Sequence, residues 1–511
     1  MGHPDRFRGS SACLWVLGAA LAWLWALPAG AQVHYNPDGS PWNQRAGEGP
    51  DAQVDGWYYN LGITGMRVQL IAEAPRQLLV KHVFEGTPAA KKVRVGDRIA
   101  GAGGRPFTTE HRNGYGMELF GPHGPILEFA QALEQSQGAQ GQGRLALNLL
   151  RDDQEVEVEL EVGRRYGTYA EGFPADCRKS ERVLAELCDY LVAHQGEDGS
   201  WGSTPQDTFA PLALLATGER KYLPSVEKNA RMHGRTTQVV DEGDLPNWRY
   251  TAAAIVLSEY YLATGEKWVR PELEEIYAFL IAGQYMDLSQ VSEKVKQSHP
   301  DAYPPDAQDA HGGWGHKPGF EGYGPICMLT AQGALALALM SRCGVEVDRE
   351  RHDAAYSFLE RGTGPNGYVW YEDHVAGPED WADMGRTGAA GIANALSPYG
   401  EARYKEQGLA HARVIGTHPE SFPDTHGSPI MGMGYAALGA NVDPRCFQSL
   451  MAANKWWFVL SQCPDGSFYY QPNRDNAGYG GDSRIAATAV TAFIFSIPKH
   501  SLHLTGKPFG R

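Results

Sequence analysis

Residues 308–340, QDAHGGWGHKPGFEGYGPICMLTAQGALALALM, hold the two halves of a unit whose repetition decides the fold. The first half is a loop. Its glycines, among them Gly312, Gly313, Gly315 and Gly319, let the backbone turn where a Cβ would obstruct it. His311, Trp314, His316, Phe320 and Tyr323 hang large, partly polar groups on that frame. From Ile326 onward Gly and Ala dominate one face, which predicts a helix crowded by several neighbours.

Working outward, the same alternation runs from residue 176 to 498. Amphipathic stretches with charged faces (177–195, 223–232, 271–284, 349–361, 401–416 and 444–462) alternate with bland, small-residue stretches (208–217, 249–264, 325–343, 384–397, 429–440 and 483–497). The first set predicts helices wetted on one side, the second helices buried all round. Six of each in strict alternation predict two concentric rings, an all-α (α/α)6 toroid, which is a closed helical repeat.

The 511 residues are too many for one ordinary domain. Residues 1–31 read as a cleaved secretory signal: Arg6 and Arg8 open it, 14–27 form its apolar core, and Ala29-Gly-Ala31 offers a small-x-small cleavage site. The chain is therefore expected to be exported, to the periplasm or beyond. No later stretch is long and apolar enough to span a membrane. Removing the leader takes two Arg and one Asp from a net charge of −15, leaving −16. That balance argues against nucleic acid as a partner. Six cysteines remain after the leader, with no Cys-x-x-Cys spacing, and no metal or cofactor is expected. Bridges between different helices and buried free thiols both fit the spacing.

Residues 32–57, rich in Pro, Gly and Asp, read as a linker, and 58–163 as a compact, mostly-β domain. Residues 78–84 are an apolar β-prone run, 125–137 have helical spacing, and 144–150 with 155–162 alternate as a hairpin. The segments Leu61-Gly62-Ile63, Gly86-Thr87-Pro88-Ala89, Val95-Gly96-Asp97-Arg98-Ile99 and Gly104-Arg105-Pro106-Phe107 resemble those of a PDZ domain. The resemblance implies a groove that takes the C-terminus of a peptide or protein as an added strand. Its carboxylate would be held by backbone N–H groups of Asn60, Leu61, Gly62 and Ile63. Here Asn60 replaces the first loop glycine, and Thr64-Gly65 interrupts the strand.

In the helical part, Gln195-x-x-x-Gly199-x-Trp201 and Gln462-x-x-x-Gly466-x-Phe468 resemble the Gln/Trp repeat of the squalene and terpenoid cyclase toroids, and Gln308-x-x-x-Gly312-x-Trp314 matches in form. The order of the two parts also resembles an uncharacterised family of exported bacterial proteins. The resemblance implies a pocket at the toroid axis, ringed by the N-terminal ends of the inner helices. The Asp-x-Asp-Asp motif of squalene cyclases is absent, as is a Cys-Gly-Glu-Gln thioester.

Polar residues before each inner helix are then the candidates: Asp207, Trp248 with Arg249, Tyr323 with Cys327, Asp383 with Arg386, His426, and Asp482 with Arg484. An Asx residue with an Arg in the first helical turn recurs at Asn247/Arg249, Asp383/Arg386 and Asp482/Arg484. Asx is a natural cap, whereas a cation is disfavoured at a helix N-terminus. The Arg residues fit an anionic or polyhydroxylated ligand; a local ion pair that stiffens the turn is the favoured alternative.

Peptide or protein binding is the leading expectation. A glycan-active hydrolase or lyase is the alternative, with Asp383, Asp482, Arg386, Arg484 and Tyr323 as catalytic candidates; a non-catalytic scaffold is the third reading. The connection from 285 to 324 is far longer than most helix–helix links, so His311, Trp314, His316 and Tyr323 are expected to form a lid or ligand platform over the mouth.

Overall fold

The computed structural model describes residues 59–71, 73–111, 113–115, 120–237, 245–298, 308–374, 381–423, 428–471 and 484–508. The expected leader and linker, His426 and Asp482 lie outside the described residues.

The N-terminal part is a small antiparallel sheet with one helix. Its strands are β1 (Tyr59–Asn60), β2 (Met66–Leu70), β3 (Leu78–Val83), β4 (Arg98–Ala102), β5 (Arg105–Pro106), β6 (Asn113–Tyr115) and β7 (Phe120–Pro122). Helix α1 (Pro125–Ser136) and the hairpin of β8 (Arg144–Arg151) and β9 (Gln154–Glu161) follow. The sheet order is β1-β2-β3-β4-β8-β9, with β5 on β4; β6 and β7 pair separately. Strand β8 buries Leu145, Leu147 and Leu149 on one face, where Ile126, Phe129 and Leu133 of α1 are also buried.

The rest is helical. The outer helices are α2 (Arg178–Ala193), α4 (Leu223–Thr236), α6 (Val269–Gly283), α9 (Arg349–Arg361), α11 (Ala402–Thr417) and the broken pair α13 (Pro444–Ala453) and α14 (Lys455–Ser461). The inner helices are α3 (Thr204–Ala216), α5 (Pro246–Thr264), α8 (Cys327–Arg342), α10 (Gly385–Leu396), α12 (Pro429–Ala440) and α15 (Arg484–Ser496); short α7 (Glu293–Ser298) lies in the long connection. Around the ring α3 packs on α5, α5 on α8, α8 on α10, α10 on α12, α12 on α15, and α15 back on α3. The inner helices thus close a toroid. Small residues permit the closure: a Cβ on Gly388 of α10 would stand 2.0 Å from the Tyr435 carbonyl oxygen of α12. All six cysteines are free thiols. No described helix is long and apolar enough to cross a membrane.

Four outer-to-inner turns share one construction, Gly199-x-Trp201, Gly312-x-Trp314, Gly367-x-Val369 and Gly466-x-Phe468. The third residue's N–H is received by a side chain of the following inner helix: Asp207 Oδ1 at 2.6 Å, then the hydroxyls of Thr330 at 3.0 Å, Thr387 at 3.1 Å and Thr488 at 3.0 Å. Gln195 Nε2 ties the first turn at the Gly199 carbonyl, 2.9 Å away. In the second turn the tie is not Gln308. Gln284, at the end of α6, donates to the Gly312 carbonyl at 2.8 Å and to the Arg351 carbonyl at 3.0 Å. An insertion separates the glutamine from its glycine, which hid the pairing from sequence spacing.

The sheet and toroid are fused face to face. Lys179 of α2 is buried, ion-paired with Glu134 of α1, and donates to Gln137 Oε1 at 2.9 Å. The Asn60 N–H donates to Gln471 Oε1 at 3.0 Å, and Gln471 returns a bond to the Asn60 carbonyl at 3.3 Å.

These contacts overturn the peptide-groove reading. Asn60 and Leu61 are fully buried, and a Cβ on Gly62 would stand 2.6 Å from the Val459 carbonyl of α14. The N–H of Asn60 is spent on Gln471 rather than offered to a carboxylate. Strand β2 is already paired on both edges, by β1 at Arg67 and Val68 and by β3. A peptide has no edge there and no loop to end in.

One buried carboxylate ties the C-terminal tail to the ring. Glu259 of α5 accepts the N–H groups of His503 at 3.1 Å and Leu504 at 2.7 Å, and burial pushes its pKa up to about 7. A raised folded-state value means the native protein holds a proton that the unfolded chain has released. Glu259 therefore costs stability as pH rises from about 4.5 to about 7, and the cost is level above that. Relative to wild type, Glu259→Gln is expected to gain about 3 kcal/mol between pH 4.5 and pH 8 in urea unfolding. A pH-independent difference would refute this.

Candidate functional site

A cavity of about 500 Å³ opens at the N-terminal ends of the inner helices. Five of the six contribute: Ser203, Thr204 and Thr208 at α3, Trp248 at α5, Met328 and Gln332 at α8, Asp383 and Arg386 at α10, and Met431 and Tyr435 at α12. The loops supply His316, Tyr323 and Tyr371. Among the described lining residues Asp383 is the sole carboxylate, and no lysine is present.

Two polar assemblies face this space. At the mouth, the Trp248 indole N–H donates to His316 Nδ1 at 2.7 Å. Indole nitrogen only donates, so Nδ1 is the acceptor. Burial lowers the pKa of His316, which keeps the ring neutral with its proton on Nε2. Nε2 bonds to the Tyr323 hydroxyl, which lies 3.0 Å from the Tyr371 hydroxyl. Burial, reinforced by the bond to Tyr323, raises the Tyr371 pKa, so the phenol stays protonated. Indole, imidazole and two phenols form a continuous neutral chain of hydrogen bonds, each able to polarise the next.

Deeper, Arg386 Nη1 donates to Asp383 Oδ2 at 2.8 Å and Nη2 to the Tyr368 hydroxyl at 2.7 Å, while Nε reaches the Val369 carbonyl at 3.4 Å. Both members of the pair are buried. Burial works against the guanidinium charge, but Asp383 and Tyr368 outweigh it and raise the Arg386 pKa. Asp383 has φ of 46°, a left-handed conformation uncommon outside glycine. Backbone strain of this kind gathers at functional sites.

Of the residues singled out from sequence, Trp248, His316, Tyr323, Asp383 and Arg386 meet in the cavity. The others do not. Trp314 is fully buried and donates to the Leu280 carbonyl at 2.8 Å, so it packs the turn rather than covering the mouth. The His311 carbonyl accepts from Arg361 at 2.8 Å, and His311 is not a lining residue. Arg249 lies 6.0 Å from the Tyr250 ring, outside the lining. Arg484 pairs with Asp465 at 2.8 Å. Asp207 folds back to Ser200 and Trp201, and burial pushes its pKa up to about 6. Asn247 does not cap α5; its Nδ2 holds the Gly315 carbonyl at 2.8 Å.

Sequence reasoning missed Ser203, Thr208, Gln332, Tyr371 and Tyr435. A signal existed for two of them. Ser203, His316 and Tyr371 each stand two residues after the hydrophobic member of a Gly-x-hydrophobic turn, and all three face the cavity. Among the described residues no group of three or more His, Cys, Asp or Glu could hold a metal ion.

A family model described as "Domain of unknown function (DUF6288)" matches residues 180–506. No curated protein matches the chain. Similar solved structures include the GH76A alpha-1,6-mannanase from Salegentibacter sp. HEL1_6, 13% identical over 62% of this chain and 98% of that one, with a TM-score of 0.47. A family 76 glycoside hydrolase from a bovine Bacteroides thetaiotaomicron strain is 10% identical over 70% and 84%, with a TM-score of 0.44. The Lin0763 protein from Listeria innocua is 12% identical over 62% and 97%, with a TM-score of 0.42. TM-scores below 0.5 carry no inference about chemistry. The family shown is neither a PDZ nor a terpenoid-cyclase family, which corrects both resemblances drawn from the sequence, and the burial of the Asn60–Gly62 loop against Gln471 and Val459 corrects the expectation of a peptide-binding protein.

Proposed function

The chain belongs to the DUF6288 family, and from that premise we propose that it is an exported, glycan-active protein whose site is the axial cavity. One observation carries the reading: a cavity of about 500 Å³ walled by Trp248, Tyr323, Tyr371, Tyr435 and Phe209 and dotted with hydroxyl, amide, carboxylate and guanidinium groups. Aromatic faces suit the apolar C–H faces of sugar rings, and scattered donors and acceptors suit their hydroxyls. The volume lies in the ordinary range for a small-molecule site.

Asp383, Arg386 and Tyr323 are the proposed reacting and clamping groups, joined by Tyr371. Asp482 and Arg484 are the further candidates from sequence. Glycoside hydrolysis uses two carboxyl groups across the bond, and Asp482 is proposed as the partner of Asp383. Polysaccharides and oligosaccharides of mixed linkage, assayed for released reducing ends and for binding, test the reading. The double variant Asp383→Ala, Asp482→Ala should abolish release. Activity that survives it would remove these residues from the site. Tyr371→Phe keeps the ring and deletes one hydroxyl, and about tenfold weaker saccharide binding is expected. Unchanged affinity would exclude that hydroxyl from ligand contact.

A further inference from the structure

We propose that the cavity selects neutral saccharides over uronic acid–bearing ones, and that the buried Asp383–Arg386 pair is the selecting element. The inference rests on the saccharide reading above and adds the charge class of the ligand.

Among the described residues the lining contains one anion and one cation, and they are 2.8 Å apart. His316, the other titratable base in the wall, is held neutral by burial and by the Trp248 N–H on Nδ1. Burial raises the pKa of the Tyr371 and Tyr435 phenols, so they bring no charge at neutral pH. The described wall is therefore polar but neutral in sum.

A uronate carboxylate entering it would add an anion beside Arg386, whose charge Asp383 already compensates. In a site shielded from water, that like-charge contact is strongly unfavourable. A neutral diol meets no such obstacle. Arg386 commits three of its five N–H groups to Asp383, Tyr368 and Val369. Two N–H groups and the second Asp383 oxygen remain, a donor–acceptor pair that vicinal hydroxyls can bridge.

The test uses the full chain and calorimetric titration with neutral trisaccharides of gluco, manno and xylo configuration, against trigalacturonate and trimannuronate. Wild type is expected to bind at least one neutral trisaccharide about tenfold tighter than either uronate. Asp383→Asn preserves shape and leaves Arg386 uncompensated, so the neutral-to-uronate ratio should fall by about tenfold. Uronates binding wild type as tightly as neutral sugars would overturn the proposal, as would a ratio unmoved in Asp383→Asn. The double variant Asp383→Leu, Arg386→Met, with its thermal midpoint measured alongside, also removes the pair without leaving a lone charge. It should lose neutral binding by about tenfold or more, and full retention would show that the pair does not touch the sugar. If wild type binds neither class, the saccharide reading itself falls, an outcome separate from the reverse preference.

Discussion

Gly312→Ala is expected to lower stability by at least about 3 kcal/mol, read as a drop in the urea midpoint. Gly312 has φ of 90°, which alanine adopts only under strain, and its new Cβ would stand 2.2 Å from the Ala354 carbonyl oxygen. Neither partner can yield easily. Ala354 sits within α9, and the Gly312 carbonyl is pinned by Gln284. Relief would have to move the turn that carries Trp314 and His316, so ligand affinity should fall as well. A loss below about 1 kcal/mol would show that the turn relaxes freely, and with it that Gln284 does not fix it.

The second large effect belongs to Lys179. Its ammonium is buried 4.3 Å from the Tyr169 ring centroid and paired with Glu134 across the junction of sheet and toroid. Lys179→Ala strands a carboxylate at that junction, and a loss of about 3 kcal/mol is expected. The double variant Lys179→Met, Glu134→Gln should recover most of it, because the glutamine leaves no lone charge and still accepts the Tyr169 N–H. If the double variant is as unstable as Lys179→Ala, the charge pair is not the cause.

The toroid was legible because inner and outer helices face different surroundings: Gly388 and Gly439 crowd an axis, while α9 and α11 present charges to water. The small sheet was also visible in the alternation of β8. Its resemblance to a peptide-binding module was misleading, since the strand pattern is silent about Val459 and Gln471 closing over the loop. The same silence applies to the site. Asp383 and Arg386 stood out because a cation in a helix's first turn breaks a local rule. Tyr371 breaks none, and only the superposed turns reveal its place. Trp314 looked like a platform because composition cannot distinguish a ring facing ligand from one buried under a helix. Gln284 was hidden by the chain inserted before Gly312.

The seam between α3 and α15 gives this repeat protein a property that open helical arrays lack. An open array sheds a terminal repeat and keeps its remaining interfaces. Here the first inner helix waits for the last, and the sheet in turn waits for Gln471. Almost the whole chain must therefore be present before either part can settle, which makes folding cooperative across some 430 residues and dominated by distant contacts. A C-terminal truncation before Arg484 removes not one repeat but the closure of all six.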